Sequence, residues 1–314
     1  MSTPARPSIS VVIETVNEET GPETDLRQVL AGLAKQTHPQ ERLEILVVVD
    51  RENRPFRDKI REEHPRVRLV EALRATYYGM KTAGIEAATG DVIALLDSDT
   101  VPVAVWAEKI ADRIEAGADV VAGKTRYAAG ERFARTFDFF NFGYIQADAS
   151  GRANGFLPNN VAFRRDVILE HNFDPRIIRS GAGHLLGHKL IALGYRLDYE
   201  PEARVTHNMY GFGEELRMRI RSGYDCVNLS RLDSERILSE SAYIQRSSFN
   251  LLIVTARRIV FDVRAVIRNR PDLDIPLLQI PYFLLISPLI RGVELVAGLV
   301  TLAKPGYFEK RYGW

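Results

Sequence analysis

Four short runs rich in Val, Ile and Leu alternate with segments of helical periodicity. The runs are "SISVVIET" (8–15), "LEILVVVD" (43–50), "RVRLVEA" (66–72) and "DVIALLD" (91–97). Between the first two lies "DLRQVLAGLAKQ". There Leu26, Val29, Leu30 and Leu33 recur at helical spacing behind Thr24 and Asp25 as cap and first-turn acid. "RDKIREEH" is a polar helix, and "YYGMKTAGIEAATG" is a helix of small residues stopped by Gly90. "VAVWAEKIADRIEAG" is amphipathic and leads into "ADVVAGK". Strand and helix in strict alternation predict βαβ units and an α/β fold on a mostly parallel sheet. In open sheets of this kind, ligands sit beyond the carboxyl ends of the strands.

Those ends carry the polar residues. The first run closes on Glu14 and Thr15, followed by Asn17 and Glu18; the second closes on Asp50; the fourth runs into "ALLDSDTVP" with Asp97 and Asp99. Residues two apart on an extended backbone point the same way, so the two carboxylates repel unless a cation lies between them. Oxygen ligands suit Mg²⁺ or Mn²⁺. A plain turn is the alternative, since Asp and Ser are turn formers. No G-x-G-x-x-G or Walker pattern occurs, so a phosphate-bearing ligand needs a metal or basic side chains, with Arg74, Lys81, Lys124 and Arg126 as candidates.

Composition narrows the function classes. A formal net charge of +1 gives no basic signal for nucleic acid, and a single cysteine, Cys226, excludes an intramolecular disulfide framework and a cysteine zinc site. The first ten residues, "MSTPARPSIS", hold no apolar signal-peptide core.

Several segments, in order, carry a resemblance: "SVVIETVNEE", "LEILVVVD", "GMKTAGIEAATGDVIALLDSDTVP", "GFLPNNVAFRRDVI" and "LGYRLDYEPEARVTHN". Together they resemble family 2 glycosyltransferases of the GT-A fold over residues 8 to about 210. The resemblance implies that Thr15 and Glu18 receive the nucleobase and ribose and that Asp50 hydrogen-bonds the base. It implies that Asp97 and Asp99 form the DxD motif holding Mg²⁺ or Mn²⁺ against a sugar-nucleotide diphosphate, with Lys81 on the donor side. His207 stands where relatives carry a histidine completing that site, and Asn159 and Asn160 line the acceptor side. Two loops depart from the family pattern. Glu14-Thr15-Val16-Asn17 replaces the usual Pro-Thr-Tyr-Asn, and Arg51-Glu52-Asn53 follows Asp50.

A third departure concerns the catalytic base. Inverting relatives carry Glu-Asp near the start of the helix before "GY", and the Asp is their base. The matching place here is Ala182-Gly183, and no carboxylate lies between Asp174 and Asp198. His184 is the nearest proton acceptor and the expected base. A phosphate acceptor, already ionised, would need none. His184 and His188 are spaced i, i+4, but no third ligand is near in sequence to make a zinc site.

After about residue 212 the pattern changes. "EELRMRIRSGYDCVNLSRL" is helical and basic, with Arg217, Arg219 and Arg221 as candidates to approach a diphosphate. In "SSFNLLIVTARRIVFDVRAVIRNR" (247–270), Phe249, Leu252, Ile253, Ala256, Val260, Val263 and Ile267 form one stripe, with Arg257, Arg264 and Arg268 off it. That is the composition of an interfacial helix. It is equally that of a helix packed on a domain. "IPLLQIPYFLLISPLI" (275–290) and "LVAGLVTLA" (295–303) are each short for a span and are expected to form a re-entrant or monotopic hairpin. A true span is a second reading of the same segments, and a homo-oligomer interface is the soluble one.

The expected architecture is an α/β GT-A domain, 1–212, with a mostly parallel nucleotide-binding sheet, followed by a helical membrane-associated region, 213–314. The expected function is metal-dependent, inverting transfer from a nucleotide sugar to a lipid-linked or polysaccharide acceptor at the cytoplasmic face of the cell membrane. A non-catalytic GT-A binding or scaffold protein that has lost the base is the other class.

Overall fold

The structure, a computed structural model, describes residues 6–16, 24–73, 75–128, 134–178, 181–208, 211–268, 270, 273 and 275–312. They group into two compact units, one built from residues 1–128 and 145–208, the other from 129–144 and 209–314.

The first unit is a sheet with helices on its faces. Its strands are β1 (Ile9–Glu14), β2 (Leu43–Asp50), β3 (Arg68–Ala72), β4 (Val92–Asp97), β5 (Thr100–Pro102), β6 (Val120–Tyr127), β7 (Asn160–Arg164) and β8 (Leu197–His207). They form one eight-stranded sheet in the order β3-β2-β1-β4-β7-β6-β8-β5. The four predicted runs are the parallel half, β3-β2-β1-β4. β1 and β4 are buried along their whole length, which is why their sequences read as continuous apolar runs. β7 then enters antiparallel to both β4 and β6, so the sheet is mixed beyond its parallel half.

The helices of this unit are α1 (Thr24–Leu33), α2 (Arg54–Glu63), α3 (Tyr77–Ala87), α4 (Trp106–Glu115), α6 (Arg165–Glu170) and α7 (Ala182–Ala192). α1 brings Leu26, Val29 and Leu33 onto Ile9, Val11 and Ile13, and Phe56 of α2 and Trp106 of α4 join the same core. α2 starts where the sequence supplies a cap: the Asn53 side chain accepts from Phe56 N at 3.3 Å, and Pro55 stands in the first turn. α3 lies against Val12 and Val48 on the other face.

The second unit is helical: α5 (Ala134–Asn141), α8 (Phe212–Leu232), α9 (Ser239–Arg246), α10 (Asn250–Arg268), α11 (Ile280–Ala303) and α12 (Tyr307–Tyr312). The expected hairpin is not formed. Its two apolar pieces belong to one continuous helix, α11, with Pro288 inside it. The intervening charges, Arg291 and Glu294, do not break the helix because both are buried and paired. Residues Leu277–Ala303 are long and apolar enough, by length and composition, to cross a membrane.

Candidate active site

The parallel register sets the site. Glu14 at the end of β1 lies opposite Asp97 at the end of β4 and Val48 of β2, and Asp50 follows two residues later on β2. Thr15, Asp50 and Asp97 therefore share one edge of the sheet. β4 stops because Thr100 ties the chain back. Its hydroxyl donates to the Asp97 carbonyl at 2.8 Å and accepts from Asp97 N at 3.0 Å. The turn puts Asp99 beside Asp97, and both are buried.

β5 then pairs antiparallel with β8, and this pairing sets Thr100 against His207. One ligand atom from each of Asp97, Asp99 and His207 lies within 4.8 Å of the others. His207 Nδ1 sits 2.6 Å from the Asn208 carbonyl. A carbonyl only accepts, so Nδ1 carries a proton, and Nε2 faces Asp99 Oδ1 at 3.5 Å. Two carboxylate oxygens and one imidazole nitrogen gathered this closely suit Mn²⁺ or Mg²⁺.

Asp97 has a cation of its own. The Lys81 ammonium, fully buried, donates to Asp97 Oδ1 at 2.7 Å and to the Leu96 carbonyl at 3.1 Å. Tyr77, one helical turn earlier on α3, points its hydroxyl at Asp97 from 2.9 and 3.1 Å. Burial, and then the charge of Asp97, push the Tyr77 phenol well above its ordinary value, so it remains a donor. Glu14 adds a third acid to the pair. Burial, with the charge of Asp97 second, raises its carboxyl to about 8. Val16 N donates to its Oε2 at 2.8 Å, and its Oε1 has no hydrogen-bond partner among the described residues.

With this geometry in place the kinship is decided by sequence. Residues 10–171 match the family described as Glycosyl transferase family 2. The chain belongs to that family. This glycosyltransferase is 26% identical to Glycosyltransferase AglE of Haloferax volcanii over 235 residues, which cover 72% of this chain and 75% of the relative. It is 27% identical over 230 residues to the Glucosyl-dolichyl phosphate glucuronosyltransferase of the same organism, covering 66% of this chain and 71% of that one. Among solved structures it is similar to the mannosyltransferase PcManGT from Pyrobaculum calidifontis in complex with GDP-Man and Mn²⁺. The TM-score is 0.64 at 18% identity, over 95% of this chain and 88% of that one. The fold is GT-A, and the protein is a transferase that uses a nucleotide sugar.

The remaining expected residues of the glycosyltransferase are placed as follows. Thr15 is buried and its hydroxyl donates to the Val48 carbonyl at 2.7 Å, tying β1 to β2. Asp50 accepts from Glu52 N at 3.0 Å. Glu18 and Arg74 lie outside the described residues. Asn160 accepts from Trp106 Nε1 at 2.9 Å and donates to the Ala203 carbonyl at 3.0 Å, so its amide serves the core. Asn159 is buried and accepts from the Thr125 hydroxyl at 3.2 Å. His184 is exposed in the first turn of α7, with its ring 4.6 Å from that of His188. Arg219 is buried in the helical unit and paired with Glu294, and Arg217 pairs with Glu214.

The gap in the base motif has a steric side. A Cβ on Gly183 would meet Pro158 Cγ at 2.5 Å, so a carboxylate there requires Pro158 to move. Gly183 N donates instead to the Tyr78 hydroxyl at 3.1 Å. Asp174, the acid preceding this gap, is gripped by Arg176 at 2.6 Å, whose hydrogen bonds hold its carboxyl below its ordinary value. Sequence reasoning passed over Tyr77. Its signal was the i, i+4 spacing to Lys81, which puts both side chains on the face of α3 that reaches Asp97.

Proposed function

We propose that this glycosyltransferase is a divalent-metal enzyme that transfers a sugar with inversion to a lipid-linked acceptor at the cytoplasmic face of a membrane, as a peripheral or monotopic protein. The observation that carries the metal site is the convergence of Asp97, Asp99 and His207, with Nε2 of the imidazole turned to the carboxylate. The acceptor class is supported by the relative named for glucosyl-dolichyl phosphate. Membrane attachment is supported by the apolar helix α11.

Bound Mg²⁺ or Mn²⁺ supplies positive charge to the donor diphosphate as negative charge builds on the departing nucleotide. Asp99, in the turn between β4 and β5, and His207, on β8, would hold that ion, and Asp97, its orientation fixed by Lys81 and Tyr77, would join them. The acceptor oxygen forms a bond to the anomeric carbon. On the opposite side the bond to the diphosphate oxygen breaks, and the electron pair leaves with the diphosphate, so the configuration inverts. A hydroxyl acceptor must also release a proton, and His184 takes it in its neutral form.

Two measurements test the reading. A screen of nucleotide sugars with and without Mn²⁺ identifies the donor, and metal-dependent binding followed by transfer to a polyprenyl-phosphate-linked sugar is the expected result. Binding without turnover on any lipid-linked or saccharide acceptor would overturn it. For the base, His184→Ala lowers turnover on a hydroxyl acceptor by roughly 10²–10⁴ with donor affinity unchanged, and the wild-type rate falls at acid pH. An unaffected variant on a hydroxyl acceptor would remove His184 from that role.

A further inference from the structure

By length and composition α11 could pass for a span, yet its only charges are already used inside the helical unit. Arg291 donates to Asp262 of α10 at 2.8 and 2.9 Å and to Glu294 at 2.8 Å. Glu294 also accepts from Arg219 of α8 at 3.2 Å and Arg258 of α10 at 3.4 Å. Ser287 donates to Asp262 at 2.6 Å. On a helix turning about 100° per residue, Ser287, Arg291, Glu294 and Gly298 fall on one face. That face meets α8 at backbone distance: a Cβ on Gly223 would lie 2.0 Å from the Glu294 carbonyl oxygen. The polar face of α11 is thus fixed inward.

The opposite face is apolar and uncovered. Leu285, Leu289 and Val296 are 74%, 66% and 61% exposed, and no charged residue interrupts them. α10, packed beside α11, divides in the same way. Leu251, Val254, Asp262, Ala265 and Val266 are buried, while Leu252, Ile253, Val260 and Ile267 are exposed. The exposed apolar stripe is the one expected from sequence. Along its flank stand the exposed Arg264 and Arg268, with Arg257 over the Tyr243 ring at 4.2 Å.

A crossing helix would have to carry Arg219, Arg258 and Asp262 into hydrocarbon with it, or leave Arg291 and Glu294 there without their outside partners. Both are costly. A bilayer surface asks for neither: an apolar face sinks below the headgroups while basic side chains at its flank meet anionic lipid. We infer that α10 and α11 lie in the plane of one anionic membrane leaflet, apolar faces down, and that α11 does not cross it. This rests on the membrane attachment in the proposed function.

The test uses the full chain and sealed vesicles, either phosphatidylcholine alone or with phosphatidylglycerol. The protein floats with the anionic vesicles, and Arg264→Gln/Arg268→Gln weakens that partition roughly 30-fold, at about 1 kcal/mol per basic side chain and about 1.4 kcal/mol per tenfold. Equal partition of wild type and variant would overturn the anionic preference. Topology is read from Pro276→Cys and Lys304→Cys, exposed positions at the two ends of the apolar stretch. Cys226, a free and only partly buried thiol, is first replaced by Cys226→Ser so that each new cysteine is the sole thiol labelled. An impermeant maleimide added outside labels both new cysteines. Protection of one of them until detergent is added would overturn the in-plane placement while leaving membrane attachment intact. Failure to float with either vesicle would overturn membrane attachment itself, and this inference with it.

Discussion

The sheet unit and the helical unit both bury charge, but they balance it differently. At the edge of the sheet, among the described residues, three buried acids, Glu14, Asp97 and Asp99, lie near one buried cation, Lys81, which pairs with Asp97, so buried acids outnumber buried cations there. In the helical unit Arg219, Arg258 and Arg291 interleave with Glu240, Asp262 and Glu294, so cations and anions match. The cation proposed to bind between Asp97, Asp99 and His207 would redress that balance. A matched network asks for nothing and fixes how four helices, α8, α9, α10 and α11, pack. On the proposed reading, burial of charge serves binding in one unit and assembly in the other.

The largest effect that would break this contrast is in the helical unit. Glu294→Leu removes the acid shared by three arginines and should destabilise the protein by about 3–5 kcal/mol, the usual cost of leaving buried charge without its partner. Urea unfolding measures it, and the folded variant should bind donor nucleotide as wild type does. A loss of donor affinity in well-folded protein would blur the two roles.

The next effect is a pH dependence in the sheet unit. Glu14 keeps its proton up to about 8 in the folded state, whereas in the unfolded chain it ionises near its ordinary value of 4.5. Between those values the unfolded state binds fewer protons, so stability is full below about 4.5 and is lost as pH rises through 8, by a few kcal/mol on the order expected for such a shift. Unfolding midpoints measured without divalent metal should fall over that window, and Glu14→Gln, which cannot ionise, should flatten the curve. A wild-type midpoint that rises from pH 5 to 8 would contradict the burial of an excess acid.

Tyr77→Phe sharpens the comparison on the binding side. It removes the donor that fixes Asp97 and should weaken metal-dependent nucleotide binding roughly 10-fold, as loss of a hydrogen-bonding partner behind a metal ligand does. Unfolding should barely change. The smallest effect is a control. Arg27 pairs with Glu63 on the surface, 2.9 Å apart, and Arg27→Gln should leave both the unfolding midpoint and nucleotide binding where they are.

Much of the sheet was legible because burial on both faces forces unbroken apolar runs, as in β1 and β4 and most of β2, while β3, an edge strand with Arg68 and Glu71 exposed, was legible from its place in the alternation. Asp97 and Asp99 could be read as a pair because their spacing on one strand end is local. The place of His207 depended on resemblance, since its physical cause is the pairing of Thr100 with His207 across more than a hundred residues. The same holds for β7, whose sequence leaves strand or helix open until β4 and β6 pair with it. Lys81 was readable as a donor-side cation, but its burial against Asp97 was not, because the close approach of α3 to the sheet is a packing fact. α11 was divided at Arg291 and Glu294 because a sequence does not show that Asp262 and Glu294 wait to receive that arginine. The apolar stripe of α10 was legible, while the side it turns outward was settled by Asp262 on the other.

The central claim is that the acid excess at the sheet edge holds a divalent cation that in turn holds the donor. Calorimetric titration of a nucleoside diphosphate into wild type and Asp99→Asn, each with and without Mn²⁺, tests it directly. The account predicts that wild-type binding requires Mn²⁺ and that the variant loses it by more than about 10²-fold, beyond the 10- to 100-fold cost of an outer partner. Equal affinity with and without the metal, or an unchanged metal-dependent affinity in Asp99→Asn, would contradict it.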